Sequence, residues 1–302
     1  MKFKSFIYVG LALFATNTMF AQANVLNAKI PEEIGMKTEA QLLLDNDKPL
    51  EYGYVGDRDI LFSKMIWEKV VLDERVNFPL YFPIENSLGD DRKSLYQVLM
   101  DNIKSGMIPK VYGDSYFTEE RTLEDLKPSL TMTKITDAGI DYMNENGVGE
   151  DEIPEEYVIR REIGAADINS FLIKGLWYFD KRQGELKYRI LGIAPAAPDV
   201  NFIDSEDNAN NEPIPMFWVF YPEVRDIMHE AKAFNDKNSA VPLSFDHLLN
   251  SRRFGGLIYK EENVYGDREV KEYVAENALM QLLESERIKD KIRNFEQDMW
   301  SY

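Results

Sequence analysis

The chain has 302 residues, 53 acidic against 35 basic, for a formal net charge of −18, and it contains no cysteine. A field of that sign opposes phosphate backbones and anionic lipid, which argues against nucleic acid as a partner and against direct membrane insertion. Without cysteine there is neither a disulfide nor an acylation site, so the protein holds together by packing, for which 44% apolar residues with 17 Phe, 16 Tyr and 4 Trp suffice.

The first 21 residues read as an export signal. Lys2 and Lys4 form a positive start, and Phe6 to Ala15 is an apolar run too short for a bilayer, which needs about 20 residues. Ala21-Gln22-Ala23 then offers cleavage after Ala21 or Ala23. The mature chain is thus expected outside the cytoplasm.

Residues 22–56 mix Asn, Lys, Glu and Pro without periodicity and read as a mobile N-terminal segment ahead of a main domain over 57–302. With Asp57 or Asp59 as N-cap, Ile60 to Arg75 contains no Gly or Pro, which predicts a helix. Its apolar residues fall in triplets (60–62, 65–67, 70–72), so this helix is expected to be crowded on two sides. Pro79 and Pro83 predict an extended run from Asn77. A second helix follows: Asp90 or Asp91 caps it, Leu95, Leu99 and Ile103 recur at helical spacing, and Gly106 stands where a C′ glycine belongs. Residues 146–156, acidic and containing Gly and Pro, read as a connector between two lobes, 57–145 and 157–302.

Beyond the connector the pattern changes to strands. Phe171 to Phe179 and Leu186 to Ala194 are aromatic and β-branched runs, which predicts a hairpin over 171–194 with Gly184 in its turn. Both of its faces are apolar, so the sheet is covered on both sides or used in assembly. After a polar loop at 204–212, Met216 to Tyr221 predicts a third strand. Pro222 is placed to open a helix carrying Val224, Ile227 or Met228, Ala231 and Phe234. Val270 to Trp300 is helical. Tyr273, Val274, Ala278, Leu282 and Leu283 share one face, and a break is expected near Ser285. The expected fold class is α+β: an antiparallel sheet of the hairpin and the 216–221 strand, packed with helices and closed by a long C-terminal helical segment.

No pattern assigns chemistry. His229 and His247 lie on separate predicted helices without H-E-x-x-H spacing, and there is no G-x-S-x-G elbow, Walker loop or G-x-G-x-x-G. The acidic loop with Asp204, Glu206, Asp207 and Asn208 lacks the EF-hand glycine and has Pro215 where the closing Glu should stand, so it reads as solvated. No carboxylate pair is singled out among the acidic residues. The expectation is a non-catalytic protein with no cofactor and no metal. Trp67, Trp177 and Trp218 sit in apolar runs and default to core. The candidate interface residues are Trp177, Tyr178 and Phe179 of the hairpin, with Trp300 and Tyr302 at the chain end.

A set of blocks in fixed order resembles one family. They are Ile66-Trp67, the run Asp73 to Pro83 (DERVNFPLYFP), Ile173 to Asp180 (IKGLWYFD) and Arg189 to Pro195 (RILGIAP). Met216 to Arg225 (MFWVFYPEVR), Ser244-Phe245-Asp246, Arg252-Arg253-Phe254, Tyr259 to Tyr265 (YKEENVY) and Glu296 to Trp300 follow. Together they are similar to the gliding-motility N proteins (GldN, called PorN in non-gliding relatives) of the type IX secretion system of Bacteroidota. The resemblance departs at Gly175, where an acidic residue is expected, and at Gly255-Gly256, where small polar ones are.

The resemblance implies a periplasmic structural subunit that self-associates in a ring with an outer-membrane lipoprotein (GldK- or PorK-like). It also implies contact with inner-membrane motor proteins (GldL- and GldM-like), and it carries over no catalytic residue. A Cys-free chain has no acyl anchor of its own, so a lipidated partner must hold it at the outer membrane. The alternatives are a monomeric periplasmic binding module or chaperone for exported proteins, and a metal-free hydrolase using unrecognised carboxylates.

Overall fold

The computed structural model describes residues 48–85, 93–147, 149, 154–201, 212–234, 243–275 and 277–300. The expected signal peptide over 1–21 lies outside them. Residues 49–302 form one compact unit of the α+β class.

The first long element is a strand, not the predicted helix: β1 (Ile60–Val71). The apolar triplets mark a strand buried on both faces, where alternation of polar and apolar residues is lost. Ile66 and Trp67 point to opposite faces and are 0% and 1% exposed. The run after β1 is not extended either. A 3-10 turn (Arg75–Asn77) passes into α1 (Phe78–Tyr81), which holds Pro79 in its first turn, where a missing N–H costs nothing.

The second predicted helix is present as α2 (Leu95–Lys104). Its cap is Ser94: the Ser94 Oγ accepts from the Gln97 N–H while the Gln97 side chain accepts from the Ser94 N–H. Asp90 and Asp91 lie outside the described residues. Gly106 takes a φ of +78° just past the helix, as a C′ glycine does.

Two short antiparallel pairs follow. β2 (Val111–Tyr112) pairs with β3 (Glu120–Arg121), and after α3 (Leu123–Leu130), β4 (Thr131–Ile135) pairs with β5 (Val158–Glu162) around α4 (Asp137–Asn146). Of the stretch expected to join two lobes, residues 148 and 150–153 lie outside the described residues, and β4 and β5 on either side of it pair directly.

The predicted hairpin is β6 (Ser170–Asp180) and β7 (Glu185–Ala197), turning through Gly184 at φ +67°. The third strand is broken into β8 (Ile214–Pro215) and β9 (Val219–Phe220). Between them Trp218 exchanges backbone hydrogen bonds with Tyr112 instead. α5 (Tyr221–Glu230) opens with Pro222 in its first turn and ends before Ala231. β10 (Lys232–Ala233) and β11 (Leu243–Ser244) pair beside α6 (Phe245–Asn250).

After β12 (Leu257–Glu261), the terminal segment is α7 (Val270–Tyr273) and α8 (Ala278–Trp300). The break precedes Ala278. Ser285 lies within the continuous α8, where its Oγ accepts the Ile258 N–H at 2.8 Å and pins the helix to β12.

The main sheet runs β12-β1-β6-β7-β8, with β9 also on β7, and all neighbours are antiparallel. β1, from before the expected connector, pairs with β6, from after it, along nearly its whole length, so the sheet joins the two expected lobes. On one face Val70, Phe171, Ile173 and Ile190 pack against Leu99, Leu126, Val224 and Leu248. Further along that face Ile66 and Ile258 pack against Ile288 and Ile292 of α8. The opposite face carries Trp67, Leu172, Ala194, Ala196 and Trp218 under Tyr112, Phe117 and Tyr259.

Candidate functional site

Three carboxylates are buried among the described residues. Asp180 accepts from the Arg182 N–H in the hairpin turn, and the other two, Glu68 and Asp246, are each met by an arginine fork. Glu68 sits on β1 between the two apolar clusters of the first face, 1% exposed. Arg252 meets it end-on, with Nη1–Oε2 at 2.9 Å and Nη2–Oε1 at 2.7 Å. The Tyr188 hydroxyl donates to the same carboxylate at 3.3 Å. The guanidinium lies over the rings of Tyr188 and Trp177, at 4.2 and 5.0 Å. Burial disfavours the charge on Arg252, but the Glu68 bonds outweigh it and raise its pKa. Burial, reinforced by Glu68, pushes the Tyr188 hydroxyl well above its ordinary value.

Gly175 completes this arrangement. It lies on β6, two residues from Trp177 on the same face, and a Cβ there would come 2.1 Å from the Tyr188 Oη. The acidic residue expected at this position has no room.

The second carboxylate is Asp246, at the start of α6. Arg225 of α5 reaches it through Nε–Oδ1 at 3.0 Å and Nη2–Oδ2 at 3.1 Å. The Tyr221 hydroxyl and the Asn250 side chain also donate to Oδ1, at 2.9 and 2.7 Å. Both oxygens of Glu68 and of Asp246 are bonded inside the chain. Such an arrangement locks elements together and presents no free base to a substrate.

Arg225 also reaches outward. Its Nη2 donates to the Leu50 carbonyl at 2.7 Å, and its guanidinium lies 4.0 Å from the centre of the Tyr52 ring. Arg189 of β7 lies 4.6 Å from the same ring and donates to the Gly53 carbonyl at 3.0 Å. The Tyr52 hydroxyl donates to the Asn250 Oδ1 at 2.7 Å, and Arg182 to the Tyr54 carbonyl at 2.5 Å. The end of the segment expected to be mobile, 22–56, is therefore docked at residues 50–54.

On the opposite face of the sheet Lys174 and Lys260 flank Trp67, with their Nζ atoms 5.0 and 4.8 Å from its ring, under Tyr116. Lys174 donates to the Ser115 carbonyl at 2.9 Å. Burial, then the charge of Lys260, lowers its pKa. Beside them opens a cleft of about 460 Å³ lined by Lys69, Asp114, Trp218, Tyr259, Lys260 and Lys271 among others. Acidic groups at Asp114, Glu212 and Glu269 offset its lysines.

The residues proposed for an interface are divided by the structure. Trp177 is half-buried under Arg252, and Tyr178 and Phe179 are 6% and 4% exposed, with Phe179 edge-on to Phe295 of α8. Tyr178 and Phe179 thus pack within the chain. The side chain of Trp300, and Tyr302, lie outside the described residues. The surface instead carries an apolar patch that includes two residues of the face read from the sequence, Leu282 and Leu283: with Leu279 and Met280 on the first turns of α8 they are all exposed. The side of α8 that docks is Ser285, Ile288 and Ile292. The signal was the position of Ser285 in register with the two isoleucines, at spacings of three and four.

His229 on α5 and His247 on α6 lie on separate helices, and among the described residues no group of three or more His, Asp or Glu could hold a metal. The acidic loop lies outside the described residues, except Glu212, which pairs with Lys271 at 2.9 Å.

The arrangement is that of an α+β protein built on one antiparallel sheet wrapped on both faces, with Glu68 and Asp246 each held inside by an arginine fork. Over residues 55–301 the sequence matches the family described as Gliding motility associated protein GldN, and the chain belongs to that family. A comparison with curated proteins finds no match.

Proposed function

We propose that the protein is a non-catalytic structural subunit of the type IX secretion and gliding machinery, exported to the periplasm and assembled there in a ring. An outer-membrane lipoprotein of the GldK or PorK kind holds it at that membrane, and inner-membrane motor proteins meet it from below. The observation that carries this reading is the family match, which runs over residues 55–301, from just before β1 through α8. Two features support it. The buried carboxylates serve the fold, and α8 leaves an apolar patch at its first turns that an assembly would cover.

Deletion tests this function. Loss of the protein abolishes secretion of type IX cargo, and surface motility where the organism has it. His229→Ala and His247→Ala restore both when supplied in trans. A secretion-null phenotype in either variant, with the protein folded and at normal abundance, would contradict the non-catalytic reading.

A further inference from the structure

Residues 49–54 are held to the body by side chains alone. The attachments are the Tyr52 ring between the guanidiniums of Arg189 and Arg225, its hydroxyl on Asn250, and arginine donors on the carbonyls of Leu50, Gly53 and Tyr54. Among the described residues no backbone–backbone hydrogen bond joins 49–55 to the rest of the chain. This is how a groove holds an extended peptide: side-chain donors take the backbone carbonyls, and one slot takes a ring.

Residues 49–54 supply one of the two hydrogen-bond acceptors that Arg189 meets among the described residues. Arg189 forms no ion pair among the described residues, and its Nε is buried without a partner, so its polar contacts are the Gly53 carbonyl and the Tyr178 hydroxyl. Removing the peptide takes from Arg189 the Gly53 carbonyl and the Tyr52 ring it lies against, leaving the Tyr178 hydroxyl as its one protein hydrogen-bond partner among the described residues. The occupant, however, is not fixed to its own body by anything else. A Cβ on Gly53 would meet nothing within 4 Å, and no left-handed φ requires glycine there, so its use is backbone freedom. Leu50 and Tyr54, on either side of the half-buried Tyr52 ring, are 86% and 85% exposed. Beside the groove, the β7 stretch Glu185–Ile190 has no strand on its outer side among the described residues.

We propose that residues 49–54 form an exchangeable arm, and that in the assembled protein Tyr52 of one copy fills the Arg189–Arg225 slot of the next. The exchange keeps every contact seen within one chain. It is head-to-tail, since arm and groove are different patches on each copy, and repetition of such a contact builds rings. It also brings Leu50 and Tyr54 to a boundary between copies, where their apolar surface is covered. The inference rests on the self-association in the proposed function and names the segment that carries it.

The absence of cysteine makes the test direct. One copy of the full chain carries Tyr54→Cys, a second carries Arg182→Cys, and both are expressed in the same cells. The isolated envelope fraction is treated with a short bismaleimide. A single chain carrying both substitutions shows that the linker spans the pair. Exchange predicts a covalent product joining the two different copies in the large assembly. Adding Tyr52→Ala to the first copy lowers its yield roughly tenfold or more. If the large assembly is present but only the doubly substituted chain links, and only to itself, arm exchange is wrong while the ring reading stands. If no large assembly is recovered, both fail.

Discussion

Glu68 and Arg252 are 184 residues apart in sequence and meet end-on in the interior, with both carboxylate oxygens taken. The pair stands where the main core passes into the cluster under α8, so it ties β1 to the segment after α6. Arg252 adopts a φ of +51°, a left-handed backbone that costs a non-glycine residue on the order of 1 kcal/mol, and the pair outweighs it. Arg252→Ala removes one partner and leaves the buried carboxylate uncompensated, so it lowers stability by about 3–5 kcal/mol. Replacing both partners, Glu68→Leu with Arg252→Met, recovers most of that loss. Urea unfolding of the three variants checks both statements, and a double variant no better than Arg252→Ala would sink the account of the pair.

Gly175 is demanded by the Tyr188 ring. Because Tyr188 is held between Trp177, Arg252 and Glu68, it has no easy route away from an added Cβ. Gly175→Ala therefore destabilises by about 1–3 kcal/mol, the usual range for overpacking. Cutting the ring away with Tyr188→Leu makes the added cost of Gly175→Ala small. Thermal unfolding of the cycle measures the coupling, and additive effects would contradict the clash.

Stability falls steeply in alkali. Burial raises Tyr188 and Tyr221 well above the usual 10.0, with Glu68 and Asp246 adding to it. Above pH 10 the unfolded chain loses these protons and the native one keeps them. Their contribution is thus fully present below pH 10 and is lost as pH rises beyond it, by about 1.4 kcal/mol per pH unit for each tyrosine. Tyr188→Phe and Tyr221→Phe make the decline shallower, whatever they do at pH 7. An unchanged slope in both would show that these hydroxyls ionise freely in the fold.

The apolar first turns of α8 separate assembly from stability. Leu279→Ser with Leu283→Ser alters exposed side chains and changes stability by no more than about 0.5 kcal/mol. It weakens assembly if those turns are covered there. Ile292→Ala, at a buried position on the same helix, costs about 2–5 kcal/mol. Equal destabilisation by the outer and inner substitutions, seen by thermal unfolding, would remove the patch from the surface.

Much of this architecture was legible, and the misses have a common cause. The hairpin declared itself through β-branched and aromatic runs with a glycine turn, and α2 and α5 through spacing, Gly106 and Pro222. β1 did not, because a strand covered on both faces shows no alternation, and its one buried charge, Glu68, is answered by a residue far away in sequence. Pre-proline bias argued against helix at Phe78, yet Pro79 fits the first turn of α1. The docking side of α8 was not legible because its most apolar stretch, Leu279 to Leu283, is exposed, while Ser285, Ile288 and Ile292 are buried. Docking of the 50–54 arm rests on arginines from the β6–β7 turn, β7 and α5, and no local pattern near Tyr52 announces them.

The central claim is tested most directly by size. The chain, purified alone and together with the outer-membrane lipoprotein proposed as its partner from detergent-solubilised envelopes, is measured by gel filtration with light scattering. The account predicts a very large co-assembly containing many copies of both proteins. A chain that stays monomeric in both preparations, with its fold intact by circular dichroism, would contradict it and favour a solitary periplasmic binding module.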